Sequence, residues 1–389
     1  MSEWTQLDQR YVARTYSRFP VEIAAGSGSL LFDAEGKEYI DLGSGIGVTA
    51  FGNGDAVWKA AVVAQLEAVQ HTSNLYYTHP CARLAQMLCE RTGMHRVFFC
   101  NSGAEANECA IKAARRYSAL HKGAHCTNII TLANSFHGRT LTTLAATGQE
   151  VFHRLFQPLT AGFLHTPAND LAAFTALARA NCPAGIMLEY IQGEGGVVPL
   201  ERSFVQGVAQ WAQENDVPLI IDEVQTGNGR TGRLYAYMHY GIMPDVVSTA
   251  KGLGGGLPLG ATMLGEKMRD IFEPGDHGST FGGNPVCCAG AVSIISRLDD
   301  AFLAEVEAKG ELVRRQLTGA PGIGEITGMG LMLGIRTVRP AREVVERGIE
   351  RGILCLTAKD KVRLLPALNI PNELLLRALE RLREAAAPC

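Results

Sequence analysis

Short apolar runs alternate with stretches of helical periodicity through the middle of this chain. The apolar runs fall at residues 96–100, 128–132, 185–191, 217–222, 245–250 and 261–264. Runs of this length without polar alternation read as strands buried on both faces. Helical patterns separate most of them, which predicts an α/β fold with a mainly parallel sheet covered by helices. In such sheets ligands bind at the carboxyl ends of the strands.

The flanks differ. Residues 1–50 read as an extended arm and a small hairpin, with strands inside 30–41 around an Asp/Gly turn. Residues 55–70 read as an amphipathic helix, and 71–78 as a polar and aromatic loop. Beyond residue 275 the pattern predicts one long helix over 285–318. Short strands follow at 324–336, 352–356 and 362–365, with helices at 340–350 and 372–386. The expected division is an N-terminal arm and small-domain segment (1–50), a large ligand-binding domain (51–275) and a C-terminal small domain of α+β type (276–389).

Composition narrows the function. Of the 389 residues 47% are hydrophobic and 19% charged, as in ordinary globular domains. A net charge of −3 provides no basic field for nucleic acid or an anionic membrane. No apolar run reaches the ~18 residues that span a bilayer. The first residues carry acids and no apolar core, so a signal peptide is not expected. Ten scattered cysteines without C-x-x-C read as reduced thiols in a cytoplasmic protein. The ten histidines lack H-E-x-x-H spacing, so no metal site is expected. The 43 glycines cluster where apolar runs end, as turns that receive a ligand do.

Chemistry gathers at those ends. Lys251 stands between an apolar run and Gly252-Leu253-Gly254-Gly255-Gly256. Alone it would read as a loop lysine. Desolvation there would favour the neutral amine, a nucleophile toward carbonyls. Asp222 ends a run that looks buried on both faces, so its carboxylate needs a dedicated partner. Ser102 and Glu105 form a capping box, and Gly103 and Ala104 leave the first helical turn bare, an arrangement suited to phosphate. Phe136 and Arg139 offer a ring and a bidentate carboxylate binder after another run. Glu189 and Glu194 put two carboxylates at the end of a further run. The stretch Gly43-Ser44-Gly45-Ile46-Gly47 is not a dinucleotide fingerprint. A lysine, an acid and a phosphate-binding helix start together suggest pyridoxal 5'-phosphate.

The chain resembles the class III aminotransferases, fold type I pyridoxal phosphate enzymes, over residues 15–385. The resemblance rests on S-N-L-Y-Y-T (73–78), N-S-G-A-E-A-N-E (101–108), F-H-G-R-T (136–140), Q-G-E-G-G-V (192–197), D-E-V-Q-T-G-x-G-R-T-G (222–232), A-K-G-L-G-G-G (250–256) and H-G-S-T-F-G-G-N-P (277–285). It implies a seven-stranded-type sheet and a homodimer with shared active sites. Lys251 would carry the cofactor and shuttle the proton. Asp222 would pair with the pyridine nitrogen, and Gln225 would contact the ring hydroxyl. Phe136 would stack on the ring. Ser102, Gly103 and Ala104 would hold the phosphate, joined by Thr280 of the neighbouring subunit. Arg139 would take the substrate's α-carboxylate, with Ser279 nearby. Glu194 would mask Arg363 during the donor half-reaction and release it for 2-oxoglutarate. Tyr190 replaces the family's usual proline. Stretches 73–78 and 277–285 resemble the acetylornithine branch, implying N-acetylornithine as donor in arginine biosynthesis. Succinylornithine, succinyl-diaminopimelate, ornithine and 4-aminobutyrate stay open as donors, because no motif reads the distal end of the substrate.

Overall fold

The computed structural model describes residues 2–123 and 125–388. At its centre is a seven-stranded sheet in the order Arg96–Cys100, Gly260–Leu264, Val246–Thr249, Leu219–Asp222, Gly185–Leu188, Ile129–Leu132, Phe163–Thr166. The last five strands of that order run parallel. Gly260–Leu264 is antiparallel to both of its neighbours. The sheet is therefore mainly parallel, as the apolar runs predict. The three strands Gly185–Leu188, Leu219–Asp222 and Val246–Thr249 are buried throughout. Phe163–Thr166 escaped the sequence reading because it is an edge strand, only partly buried and carrying His165.

Helices cover the sheet. Gly103–His121 turns Ala106, Ala110, Ala113 and Ala114 inward, and these small side chains let it lie close to the strands. Leu171–Asn181 and Arg202–Glu214 meet through Phe174, set edge-on to Phe204 and Trp211. A second sheet joins the two ends of the chain. Its strands Ile23–Ser27, Leu30–Asp33 and Glu38–Asp41 pair in order, and Glu38–Asp41 pairs with Ile353–Leu354. A third sheet, Ile323–Met329, Met332–Thr337, Lys361–Leu364 and Leu356–Ala358, brings Arg363 toward the centre.

Several local expectations are corrected. The N-terminal arm begins as a helix, Glu3–Tyr11, because the Ser2 side chain accepts from Thr5 N and caps it. The long helix is two, Pro285–Ile295 and Asp300–Leu317, because Asp299 caps a new start by accepting from Phe302 N. Residues 324–336 form a hairpin, not one strand, turning at Gly330 with φ 52°. The helix Ala56–Ala68 buries no residue, and Val57, Val63 and Leu66 are exposed. The thiols are not all reduced, since Cys126 and Cys182 are joined with Cα atoms 5.2 Å apart. Their loops precede adjacent strands, a proximity that sequence spacing hides. Seven other cysteines are free, and Cys389 lies outside the described residues.

Candidate active site

The site is built where strands end. Residues 101–104 follow Arg96–Cys100, Phe136 and Arg139 follow Ile129–Leu132, and Glu189 follows Gly185–Leu188. Asp222 closes Leu219–Asp222, and Lys251 comes two residues after Val246–Thr249. Together they enclose a cavity of about 440 Å³, lined among others by Ser102, Gly103, Phe136, Arg139, Asp222 and Lys251.

Asp222 is buried, yet fully satisfied. One carboxylate oxygen accepts from Val224 N at 3.0 Å. The other accepts from Asn107 Nδ2 at 2.7 Å and faces His137 Nδ1 at 2.8 Å. Asn107 also donates to His137 O at 2.7 Å, which ties helix to loop. Burial works against an imidazolium at His137, but the hydrogen bond and charge of Asp222 prevail and raise its pKa. His137 Nε2 is buried without a hydrogen-bond partner among the described residues.

Lys251 has φ 46°, in the left-handed region, and begins a single 3₁₀ turn. No ion pair or hydrogen bond holds its Nζ among the described residues. Burial pushes its pKa down, with help from the Arg363 charge and against Glu194 and Asp222. Glu194 Oε1 accepts from Arg363 Nη1 at 2.5 Å, and Gln225 Oε1 accepts from the same nitrogen at 3.1 Å. Burial opposes the Glu194 carboxylate, but Arg363 holds its pKa below the ordinary value. Arg363 itself is 3% exposed.

Gly103 caps the cavity where a Cβ would lie 2.7 Å from Val224. The Ser102 hydroxyl accepts from Glu105 N at 3.2 Å, while the Glu105 carboxylate takes the Asn101 N–H. Gly138, at φ 144°, lets its loop pass the helix start, since a Cβ there would meet Ala104 at 2.9 Å.

Arg139 is exposed and lies 4.1 Å from the ring centre of Phe152 and 5.4 Å from that of Phe136. No carboxylate among the described residues pairs with it. Ser279 lies outside the cavity lining, accepting from Asn101 Nδ2 at 3.2 Å and from Gly282 N at 2.9 Å. Thr280 is exposed and also outside it. Glu189 is used structurally, accepting from Phe136 N at 2.9 Å and Gly193 N at 3.4 Å, and burial raises its pKa to about 7. Tyr190 is fully buried with its ring 4.6 Å from that of Tyr240, and Glu194 still reaches Arg363 beyond it.

Sequence reasoning missed Asn107, His137 and Phe152. Asn107 carried a signal, since it lies four residues after Gly103 and so on the same helical face. Phe152 carried none, because its loop meets Arg139 only through the fold.

A model of the family described as Aminotransferase class-III matches residues 11–386. The chain belongs to the class III aminotransferases. It is 49% identical over 376 residues to an acetylornithine aminotransferase of Haemophilus ducreyi, covering 96% of each chain. It is 41% identical over 376 residues to that of Methanocaldococcus jannaschii, covering 95% of this chain and 94% of the other. Among solved structures it is similar to the ornithine aminotransferase of Toxoplasma gondii, with TM-score 0.93 and 32% identity over 98% of this chain and 93% of that one. The N-acetylornithine aminotransferase of Stenotrophomonas maltophilia K279a gives TM-score 0.84 and 34% identity over 98% and 97%.

Enzymes of this class are pyridoxal-phosphate-dependent transaminases, and so is this one. The cavity fits the cofactor. A partnerless lysine, a buried aspartate and a bare helix start converge on it, and Gly103 keeps open the room that a Cβ would narrow. First-turn N–H groups of a helix have no acceptor within the helix.

Proposed function

We propose that this enzyme moves the terminal amino group of N-acetylornithine to 2-oxoglutarate, giving N-acetylglutamate semialdehyde and glutamate in arginine biosynthesis. The names of its relatives and the full-length similarity to them support that donor. The observation that carries the transaminase reading is the pairing of a fully hydrogen-bonded, buried Asp222 with a partnerless Lys251 in one cavity.

When bound, pyridoxal phosphate supplies an aldehyde that takes up the amino nitrogen and a ring that withdraws electrons. Lys251 would anchor the cofactor and move the proton at the carbon bearing the nitrogen. Burial lowers the pKa of its Nζ and so favours the neutral amine over the ammonium. Asp222 would pair with the ring nitrogen, and Val224 N, Asn107 Nδ2 and His137 Nδ1 hold its carboxylate in place. Ser102, Gly103 and Ala104 hold the phosphate through the helix start. Phe136 and Gln225 line the same cavity, where they would cover the ring and take its hydroxyl.

Arg139 takes the α-carboxylate of the substrate. Glu194 masks Arg363 while the donor is bound, and its release exposes a guanidinium for the second carboxylate of 2-oxoglutarate. Thr280 completes the phosphate site from the neighbouring subunit. The exposed apolar residues Val57, Val63, Leu66, Leu75, Tyr76, Tyr77 and Phe281 supply the surface of a homodimer. No helix of the described residues is long and apolar enough to cross a membrane. We place the enzyme in the cytoplasm.

The test is a donor comparison with 2-oxoglutarate fixed. N-acetylornithine should give a kcat/KM at least ~10-fold above ornithine, 4-aminobutyrate and the succinylated donors, the scale of one well-read distal group. A higher value for any of those would replace the proposed substrate and keep the class.

A further inference from the structure

Cys126 and Cys182 lie far from the cavity, at the amino ends of neighbouring strands, whereas the cofactor site uses the carboxyl ends. Cys126 precedes Ile129–Leu132, and Cys182 follows the helix Leu171–Asn181 and precedes Gly185–Leu188. Ile129 and Gly185 are register partners, so the two loops are neighbours. A third residue joins them. A ring nitrogen of His125 and the two sulfurs all lie within 4.8 Å of one another. His125 and Cys182 are exposed, and Cys126 is buried, so an ion could reach the group from solvent.

The scaffold beneath is fixed. Ser118 Oγ donates to Cys126 O at 2.8 Å, Ala184 N to Asn128 O at 2.7 Å, and Asn128 Nδ2 to Asn181 O at 3.3 Å. The three side chains are therefore presented by two anchored loops.

We propose that His125, Cys126 and Cys182 form a metal site for Zn²⁺ when the cysteine pair is reduced, with the disulfide as its metal-free oxidised state. Two sulfurs and one imidazole suit zinc, which binds thiolate and imidazole at ~2.3 and ~2.0 Å and accepts water as a fourth ligand. Ligand atoms around tetrahedral zinc lie roughly 3.5–4 Å apart on those bond lengths, so small side-chain rotations suffice. A dithiol reductant opens the disulfide, giving two electrons and two protons to form two thiols and becoming a disulfide itself. Zinc then displaces both thiol protons and takes the neutral imidazole. Either state links the two loops, and the linkage serves the entry to adjacent core strands, not the transamination chemistry.

The experiment uses the reduced holoenzyme, freed of reductant without oxygen and equilibrated with Zn²⁺, followed by removal of loosely held metal on a chelating resin. One zinc per chain should remain, and mass spectrometry should find the exposed Cys182 protected from alkylation only when zinc is present. Cys182→Ser, an exposed and conservative change, should lose the metal. His125→Gln should weaken binding at least ~10-fold, no less than the loss of an outer-shell partner costs. Zinc retained equally by Cys182→Ser, no zinc retained by the reduced wild-type protein, or a pair that stays oxidised and binds none would each overturn the proposal.

Discussion

At the scale of single residues, the site depends on how each charge is satisfied. Lys251 needs its Nζ unpaired, and among the described residues no ion pair or hydrogen bond holds it. Lys251→Ala should lower turnover at least about a thousandfold, the upper part of the range for acid–base groups. Its melting temperature should stay near that of the wild type, checked by thermal unfolding beside a glutamate-release assay. Arg139 is exposed and bears on Phe152, so its aim depends on an aromatic platform. Arg139→Ala should raise KM for both substrates by roughly 10-fold or more, since a charge-assisted bidentate contact is lost. Phe152→Leu should raise both by a few-fold with kcat nearly unchanged. Steady-state kinetics separates the two cases, and an unchanged KM in Arg139→Ala would move the carboxylate site elsewhere.

At the scale of elements, the carboxyl end of the strand Leu219–Asp222 and the residue after it supply two acids with opposite fates. Asp222 faces the cavity and gathers donors. Glu223 turns to the other side, where it accepts from Thr226 Oγ1 at 2.5 Å and Tyr237 N at 2.8 Å. Burial raises the Glu223 pKa to about 7 from 4.5. The native state therefore binds this proton more tightly than the unfolded chain. Its contribution to stability falls as pH rises from about 4.5 to about 7 and stays lowered above that. Glu223→Gln should remove that part of the dependence. The variant should gain relative to wild type between pH 5 and pH 8 by on the order of a kcal/mol or more, measured by denaturant unfolding at both values. A constant difference across that range would contradict the assignment. The central strands were legible because they are continuous apolar runs. The edge strand Phe163–Thr166 was not, having one face in partial solvent. The break between Pro285–Ile295 and Asp300–Leu317 lay in one aspartate cap inside an otherwise helical pattern.

At the scale of the molecule, the site residues come from elements spread between residues 101 and 363. The motifs around Lys251, Asp222 and Gly103 were legible because glycine and charge end apolar runs there. Phe152 over Arg139, His137 against Asp222 and Cys126 beside Cys182 were not, because only the packing of separate segments creates them. The exposed apolar surface from Ala56–Ala68 to the 71–78 loop predicts a dimer at micromolar protein, checked by sedimentation. A fully active monomer would contradict the shared site.

The most direct measurement of the whole account is a half-reaction. Purified holoenzyme is mixed with N-acetylornithine and no keto acid, and the visible absorption of the lysine-bound cofactor is followed. The account predicts that the band is lost at low donor concentration and returns on adding 2-oxoglutarate, with glutamate released. A band that persists with N-acetylornithine and with every other donor tested would contradict it.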